Sequence, residues 1–278
     1  MTRTVDTLVE YFVGEYAPAS QVHRITNTSG SEEDTSRAAL RNLLTVRPPA
    51  PIPPEIKTAL DSLLEDEAAQ RGSVNANDLP VLANTHGVHS RIGKQVALWE
   101  GDLTILEADA VVNAANDQML GCFVPGHRCI DNVLGAAAGP DLRAECADYM
   151  ARRQGSPEPT ESAVLTGGYH LPARHVIHTV GPIIPDRNPS DEDEVTLASC
   201  YRGILDLTRD SGLDSVGLCS VSTGVFGYPK DQAADVVLDT IDDWLRDNPE
   251  EALRIVISAF TEVDVAAYTD ALHRRGAL

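Results

Sequence analysis

Residues 101–116 read Gly101-Asp-Leu-Thr-Ile-Leu-Glu-Ala-Asp-Ala-Val-Val-Asn-Ala-Ala-Asn116. Within them the apolar run Ala110-Val-Val112 predicts a short strand over Ala110–Asn113, and two carboxamides, Asn113 and Asn116, stand at its end. A carboxamide offers a donor and an acceptor without charge, which suits sugar hydroxyls or a positioned water. Asn also ends strands because its side chain mimics the backbone, so the pair alone fits either role. Working outward, further strands are predicted at Val96–Trp99, Ser162–Thr166, His175–Thr179, Ser215–Cys219 and Leu253–Ala259. Several are continuous β-branched runs, as in strands covered on both faces. Helical stretches lie between them, at Pro140–Arg153, Glu194–Ser211, Lys230–Asp247 and Val263–Arg275. Alternation of this kind predicts an α/β fold with a mixed, largely parallel sheet and helices on both sides. Ligands of such sheets bind beyond the carboxyl ends of the strands. Two loops are therefore expected to carry function, one from Asn113 onward and one from Ser220 onward.

The first loop continues into Leu120-Gly-Cys-Phe-Val-Pro-Gly-His-Arg-Cys-Ile-Asp-Asn132, which places Cys122, His127 and Cys129 within eight positions. Two thiolates and an imidazole are a ligand set that Zn²⁺ prefers. Three protein ligands leave one position open, the pattern of a catalytic ion more than of a closed structural site. The spacing also fits two small apolar cysteines and a histidine brought together in a loop. The second loop, Ser222-Thr-Gly-Val-Phe-Gly-Tyr-Pro229, follows a strand and precedes a helix. Gly224 and Gly227 would let the backbone approach a ligand and turn its N–H groups inward. A Gly-x-x-Gly turn is weak on its own.

Composition narrows the classes. The chain has 278 residues, 42% of them hydrophobic and 5% aromatic, within the range of globular proteins. No apolar run reaches the roughly 18 residues that span a bilayer, and the N-terminus has no secretory h-region, so no membrane is expected. Five cysteines do not suggest a disulfide framework, and a thiolate site needs reducing surroundings, so a cytoplasmic protein is expected. A formal net charge of -20 argues against a nucleic-acid partner. An anionic ligand would have to be held by backbone N–H groups against that field.

The first 90 residues differ in texture. Val5, Leu8, Val9, Phe12, Val13 and Tyr16 follow helical spacing over residues 4–16. Ser20 to Asp34 reads as a polar loop, Ser36 to Val46 as a second helix, and Arg47 to Pro54 as an extended connector. Ile56, Leu60, Leu63 and Leu64 mark a third helix. These helices bury too little to stand alone, so residues 1–90 are expected as a helical extension packed on a main domain of residues 91–278.

Together these motifs resemble the macrodomain family, a three-layer α/β/α module that binds ADP-ribose. Residues 101–116 look like its opening signature, Gly168-Tyr-His-Leu-Pro-Ala-Arg-His-Val-Ile-His-Thr-Val-Gly-Pro182 its central strand, and Ser220 to Pro229 its second phosphate loop. The likeness covers roughly residues 92–275. The segment 121–132 further resembles the zinc-containing microbial branch, whose members remove ADP-ribose from proteins. By this likeness Asp102 would accept from the adenine amine, with the Leu103 backbone nearby. Asn113 and Asn116 would face the ribose, with Asn116 nearer the scissile bond. Asp131 would stand at the distal ribose. Ser222, Thr223, Gly224, Val225 and Phe226 would form the diphosphate loop, and Phe260 would pack on adenine or in the core. Two departures stand out: Leu134-Gly135 where many relatives have Ile-His, and Glu161 where glycine is usual.

The implied activity is zinc-dependent hydrolysis of mono-ADP-ribose from modified proteins at the distal ribose, with Asn116 and Asp131 as catalytic residues. A lipoyl carrier protein is one implied partner. A reader that only binds ADP-ribose, or a deacetylase or phosphatase of free ADP-ribose derivatives, would use the same pocket. Cys146, Cys200 and Cys219 sit in apolar contexts and are expected as buried thiols. His175 and His178 are expected in the core, and His170 in a turn.

Overall fold

The β-branched run at the centre of the opening motif becomes strand β4 (Ala110–Ala114), whose first four residues are buried. Its neighbours are β6 (His175–Thr179) and β7 (Ser215–Leu218), with β8 (Arg254–Ser258), β2 (Val96–Trp99) and β5 (Ala163–Gly167) outside them. The sheet order is β2-β8-β7-β4-β6-β5. Every pairing is parallel except β5 with β6, which makes the sheet mixed as the alternation predicts. A short parallel pair, β1 (Val74–Asn75) with β3 (Leu106–Glu107), lies beside it. The computed structural model of the chain describes residues 2–15 and 32–276. Tyr16 and the expected loop from Ser20 as far as residue 31 lie outside them; from Glu32 the chain is already helical.

Three helices precede the sheet: α1 (Thr2–Gly14), α2 (Glu32–Val46) and α3 (Pro54–Arg71). Two short ones follow, α4 (Leu82–Thr85) and α5 (Arg91–Gln95). The crossovers are α6 (Ile130–Ala138), α7 (Pro140–Arg152), α8 (Asp191–Asp210) and α9 (Lys230–Asp247), and α10 (Glu262–Arg274) closes the fold. Helix α9 shows how the sequence packs them. Ala233, Val237, Ile241 and Trp244 recur at helical spacing and are all buried. Burying Val237 or Ile241 contributes roughly 1.5–3 kcal/mol each. Trp244 also satisfies its ring N–H by donating to Asp206, 2.9 Å away. Ser190 and Asp193 cap α8 reciprocally, which starts that helix three residues before the expected Glu194. Among the described residues no helix is long and apolar enough to cross a membrane.

The N-terminal helices share a core of their own, built from Val5, Leu8, Phe12, Leu40, Leu43, Leu60, Leu63 and Leu64. Ala76, Leu82 and Val88 instead belong to the larger core under the sheet. The two cores therefore part near Gly72, ahead of the boundary at residue 90 expected from the sequence. Polar contacts join the layers: Lys57 pairs with Asp141 at 2.8 Å and His170 with Asp61 at 3.0 Å. Glu161, the departure from glycine, holds a left-handed backbone (φ 76°), which explains why glycine suits that position.

Candidate active site

Four parallel strands, β4, β6, β7 and β8, end on one side of the sheet, and a cleft of about 680 Å³ opens there. That is within the usual range for a small-molecule site. Its wall includes Asp102, Leu103, Asn116, Ser222, Thr223, Gly224, Val225, Phe226 and Phe260. Cys122, His127, Cys129 and Asp131 also line it. Sequence reading expected two loops here. The cleft also uses Gly181 after β6 and the segment after β8, with Thr261, Asp264 and the facing Lys230. Lys230 pairs with the buried Asp264 at 2.6 Å, while Asp264 and Thr261 cap α10 reciprocally. The Thr-x-x-Asp box directly after a strand was the signal for this third loop.

One expected site residue is turned the other way. Asn113 is 2% exposed and is not among the residues that line the cleft, so its carboxamide lies beneath the cleft in this structure. Its Nδ2 donates to Asp131 Oδ1 at 2.8 Å and lies 3.1 Å from His178 Nδ1. Asn113 and His178 are register partners on adjacent strands, which is why they meet. His178 Nε2 is 2.9 Å from Thr166 Oγ1. Complete burial pushes His178 down to about 4, so the ring is neutral at neutral pH. An amide nitrogen only donates, so Asp131 Oδ1 accepts from Asn113 Nδ2. The second N–H then points at His178 Nδ1, leaving Nε2 protonated and donating to Thr166. Asp131 is thus held from beneath by a buried Asn–His–Thr relay. Burial raises its carboxyl above the ordinary range, opposed by the Asn113 hydrogen bond and the Arg143 charge.

Asn116 does reach the cleft, and it also clamps its own loop. Its Nδ2 donates to the Gly121 carbonyl at 3.0 Å, and its Oδ1 accepts from the Gln118 N–H at 3.0 Å. Beyond that clamp the ligand atoms of Cys122, His127 and Cys129 all lie within 4.8 Å of one another. Cys122 Sγ is 3.3 Å from His127 Nδ1. Burial, then the nearby Cys122, push the Cys129 thiol up to about 11. Two sulfurs and an imidazole converging at this spacing fit a borderline-soft divalent ion such as Zn²⁺. Among the described residues they are the one such group. Cys146, Cys200 and Cys219 are buried thiols, as expected from their contexts.

The missing histidine has a simple structural reading. Gly135 lines a crevice between α6 and the N-terminal helices, beside Leu40 and Leu64. From α6 the cleft receives Ile130, Asp131 and Val133. An imidazole at position 135 would face the helical layer, so its absence takes nothing from the cleft.

In the second loop the N–H groups of Gly224, Val225 and Phe226 find no acceptor among the described residues. They are donors suited to an anion. Asp102 accepts from the Thr104 N–H at 2.8 Å through Oδ1. It lines the cleft wall, where the sequence resemblance expects the adenine end. Asp102→Ala should weaken ADP-ribose binding roughly tenfold to a hundredfold, the value of about 1.5–3 kcal/mol for a charge-assisted hydrogen bond. An unchanged calorimetric affinity would place adenine elsewhere.

Fold and cleft together define an α/β/α module with a ligand site at the carboxyl ends of parallel strands. Residues 112–237 match the Macro domain family. The chain is 40% identical over 238 residues to the protein-ADP-ribose hydrolase of Treponema medium, covering 85% of this chain and 87% of that one. It is 37% identical over 234 residues to the protein-ADP-ribose hydrolase of Staphylococcus aureus (strain MSSA476), covering 84% of each. The solved Trypanosoma brucei macrodomain in complex with ADP-ribose superposes with a TM-score of 0.61 at 32% identity, over 80% of this chain and 92% of that one. The chain belongs to the macrodomain family.

Proposed function

We propose that this protein hydrolyses the bond between mono-ADP-ribose and modified proteins, with a zinc ion held by Cys122, His127 and Cys129. The presence of that clustered ligand set and of Asp131 in the lining of one cleft carries the reading. A module that only bound ADP-ribose could use such a site to shape the loop but would not need an open metal position. The names of the relatives, protein-ADP-ribose hydrolases, support the hydrolytic class.

The residues divide the work along the cleft. Asp102, with Phe260, takes the adenine end, and the N–H groups of the Gly224–Phe226 turn take the diphosphate without cationic side chains. That leaves the distal ribose beside Asn116 and Asp131. Breaking the anomeric bond builds oxocarbenium character, so a carboxylate fixed nearby stabilises the developing charge or accepts a proton. The relay through Asn113 holds Asp131 in place for this. Bound zinc would supply Lewis-acid character at the same end. Two thiolates moderate that character, so orienting the ribose is as fitting a role as activating a nucleophile.

The test is direct. Purified protein is incubated with proteins carrying mono-ADP-ribose on different side chains, with and without a chelator. Released ADP-ribose that disappears on chelation and returns with zinc is the expected result. Zinc-replete protein that binds ADP-ribose and cleaves no linkage would favour a reader.

A further inference from the structure

We propose that Arg143 is a positioning residue that ties the N-terminal helical layer to the loop bearing Cys122, His127 and Cys129, so that this layer is part of the site's framework. Arg143 stands on α7, between the two. On one side its Nη1 donates to the carbonyls of Leu44 at 2.8 Å and Arg47 at 2.6 Å. Leu44 lies in the last turn of α2, where carbonyls have no partner within the helix and a cation complements the dipole. On the other side the guanidinium lies over the Phe123 ring, 4.7 Å from its centroid. Phe123 is the immediate neighbour of Cys122 and holds a left-handed backbone, φ 52°. A bulky residue keeps that conformation only where its surroundings impose it.

The same guanidinium also shapes the preceding residue. A Cβ built on Gly121 would sit 2.9 Å from Arg143 Nη2, so the loop backbone runs against the arginine. Gly121 is the residue whose carbonyl Asn116 clamps from the cleft side. The loop is thus gripped between Asn116 in front and Arg143 behind, and Arg143 is itself anchored on α2. A planar fork with five donors can bond two carbonyls and stack on a ring together; an ammonium cannot. The crevice beside it, lined by Leu40, Leu44, Leu64 and Gly135, completes the join between layers.

The inference rests on the metal-loop reading for one of its two readouts only. In the full-length protein, Arg143→Lys, Arg143→Met and Phe123→Leu are compared with the parent. The first readout is backbone hydrogen exchange in chelator-treated protein, which needs no metal and no activity. Exchange over residues 121–129 should accelerate by about tenfold or more in each variant, with the sheet strands unchanged. The Arg143→Met/Phe123→Leu pair should be no worse than Arg143→Met alone, because the ring contact is already lost there. The second readout is the rate at which zinc is lost to a competing chelator, which should also rise in each variant. Unchanged exchange over 121–129 in folded Arg143→Lys and Phe123→Leu proteins would overturn the proposal. So would acceleration spread evenly over the whole chain, the mark of a merely structural arginine. If Arg143→Met does not fold, the other two variants decide. If the parent protein holds no zinc, the proposed function falls while the exchange result still stands for or against Arg143.

Discussion

Alanine at Cys122, His127 or Cys129 should lower hydrolysis of ADP-ribosylated protein on the order of 10²–10³-fold or more, while ADP-ribose affinity falls only severalfold. The separation follows from the cleft. The three ligand atoms lie within 4.8 Å of one another, and Asp102, Phe260, Lys230, Asp264 and the Gly224–Phe226 turn line the same cleft without belonging to that cluster. The folded state should survive the loss, because the large core around Tyr201, Ile241 and Trp244 owes nothing to the loop. Asp131→Ala should depress turnover likewise, and the Cys122→Ala/Asp131→Ala pair should be strongly non-additive if both serve one step. pH gives an independent handle. Metal-free Cys129, with its thiol raised to about 11, is protonated at neutral pH and must lose that proton to bind as thiolate. Apparent zinc affinity should therefore climb by about tenfold per pH unit through the neutral range on account of this group, and weaken as pH falls. Competition titrations with a chromophoric chelator would measure both. Metal-free protein that turns over at the parent rate would remove zinc from the chemistry.

How far the sequence could be read depended on whether a feature was local. The strands of the main sheet were legible because each is a short, nearly continuous apolar run, and their observed limits differ from the expected ones by a single residue at most. Helix α6 was not legible. It is nine residues long, carries Gly135 in its middle and is capped by Gly139 with φ 89°, so its helix formers make too short a run to mark a helix. The metal-ligand cluster was legible because eight adjacent positions supply all three donors. The direction of Asn113 was not, since a carboxamide at a strand end can face a ligand or turn inward. What decides it is His178, sixty-five positions away in sequence and its register partner across β4 and β6. Two polar residues in otherwise apolar central strands were the available hint that they satisfy each other. Of the third cleft loop only Phe260 was legible, and the rest escaped for a similar reason. Asp264 reads locally as a helix cap, and only the fold sets Lys230 against it.

Gly224→Val should abolish measurable ADP-ribose binding and leave thermal stability nearly unchanged. The glycines of the second loop are not equivalent, and this is what makes the prediction sharp. A Cβ on Gly227 would meet the Ile184 carbonyl at 2.4 Å from a backbone at φ 82°, so substitution there strains the fold itself. A Cβ on Gly181 would come within 2.2 Å of Ser222 Oγ, disturbing the same loop from behind. At Gly224 a Cβ meets nothing within 4 Å, and the residue lines the cleft. Valine there costs the apo protein little, and its methyl groups would occupy the space above the N–H donors of Val225 and Phe226. An anion approaching those donors would be blocked, and the chain's charge of -20 supplies no long-range attraction to compensate. Loss of about 10²-fold or more in affinity is expected, since the diphosphate contacts are lost together. Because the donors are backbone dipoles, parent affinity should change only modestly between low and high salt. Calorimetry on Gly224→Val, with a melting curve beside it, checks both halves. Normal binding by the variant would move the diphosphate out of this loop, and a collapsed melting temperature would show that Gly224 serves the fold rather than the ligand.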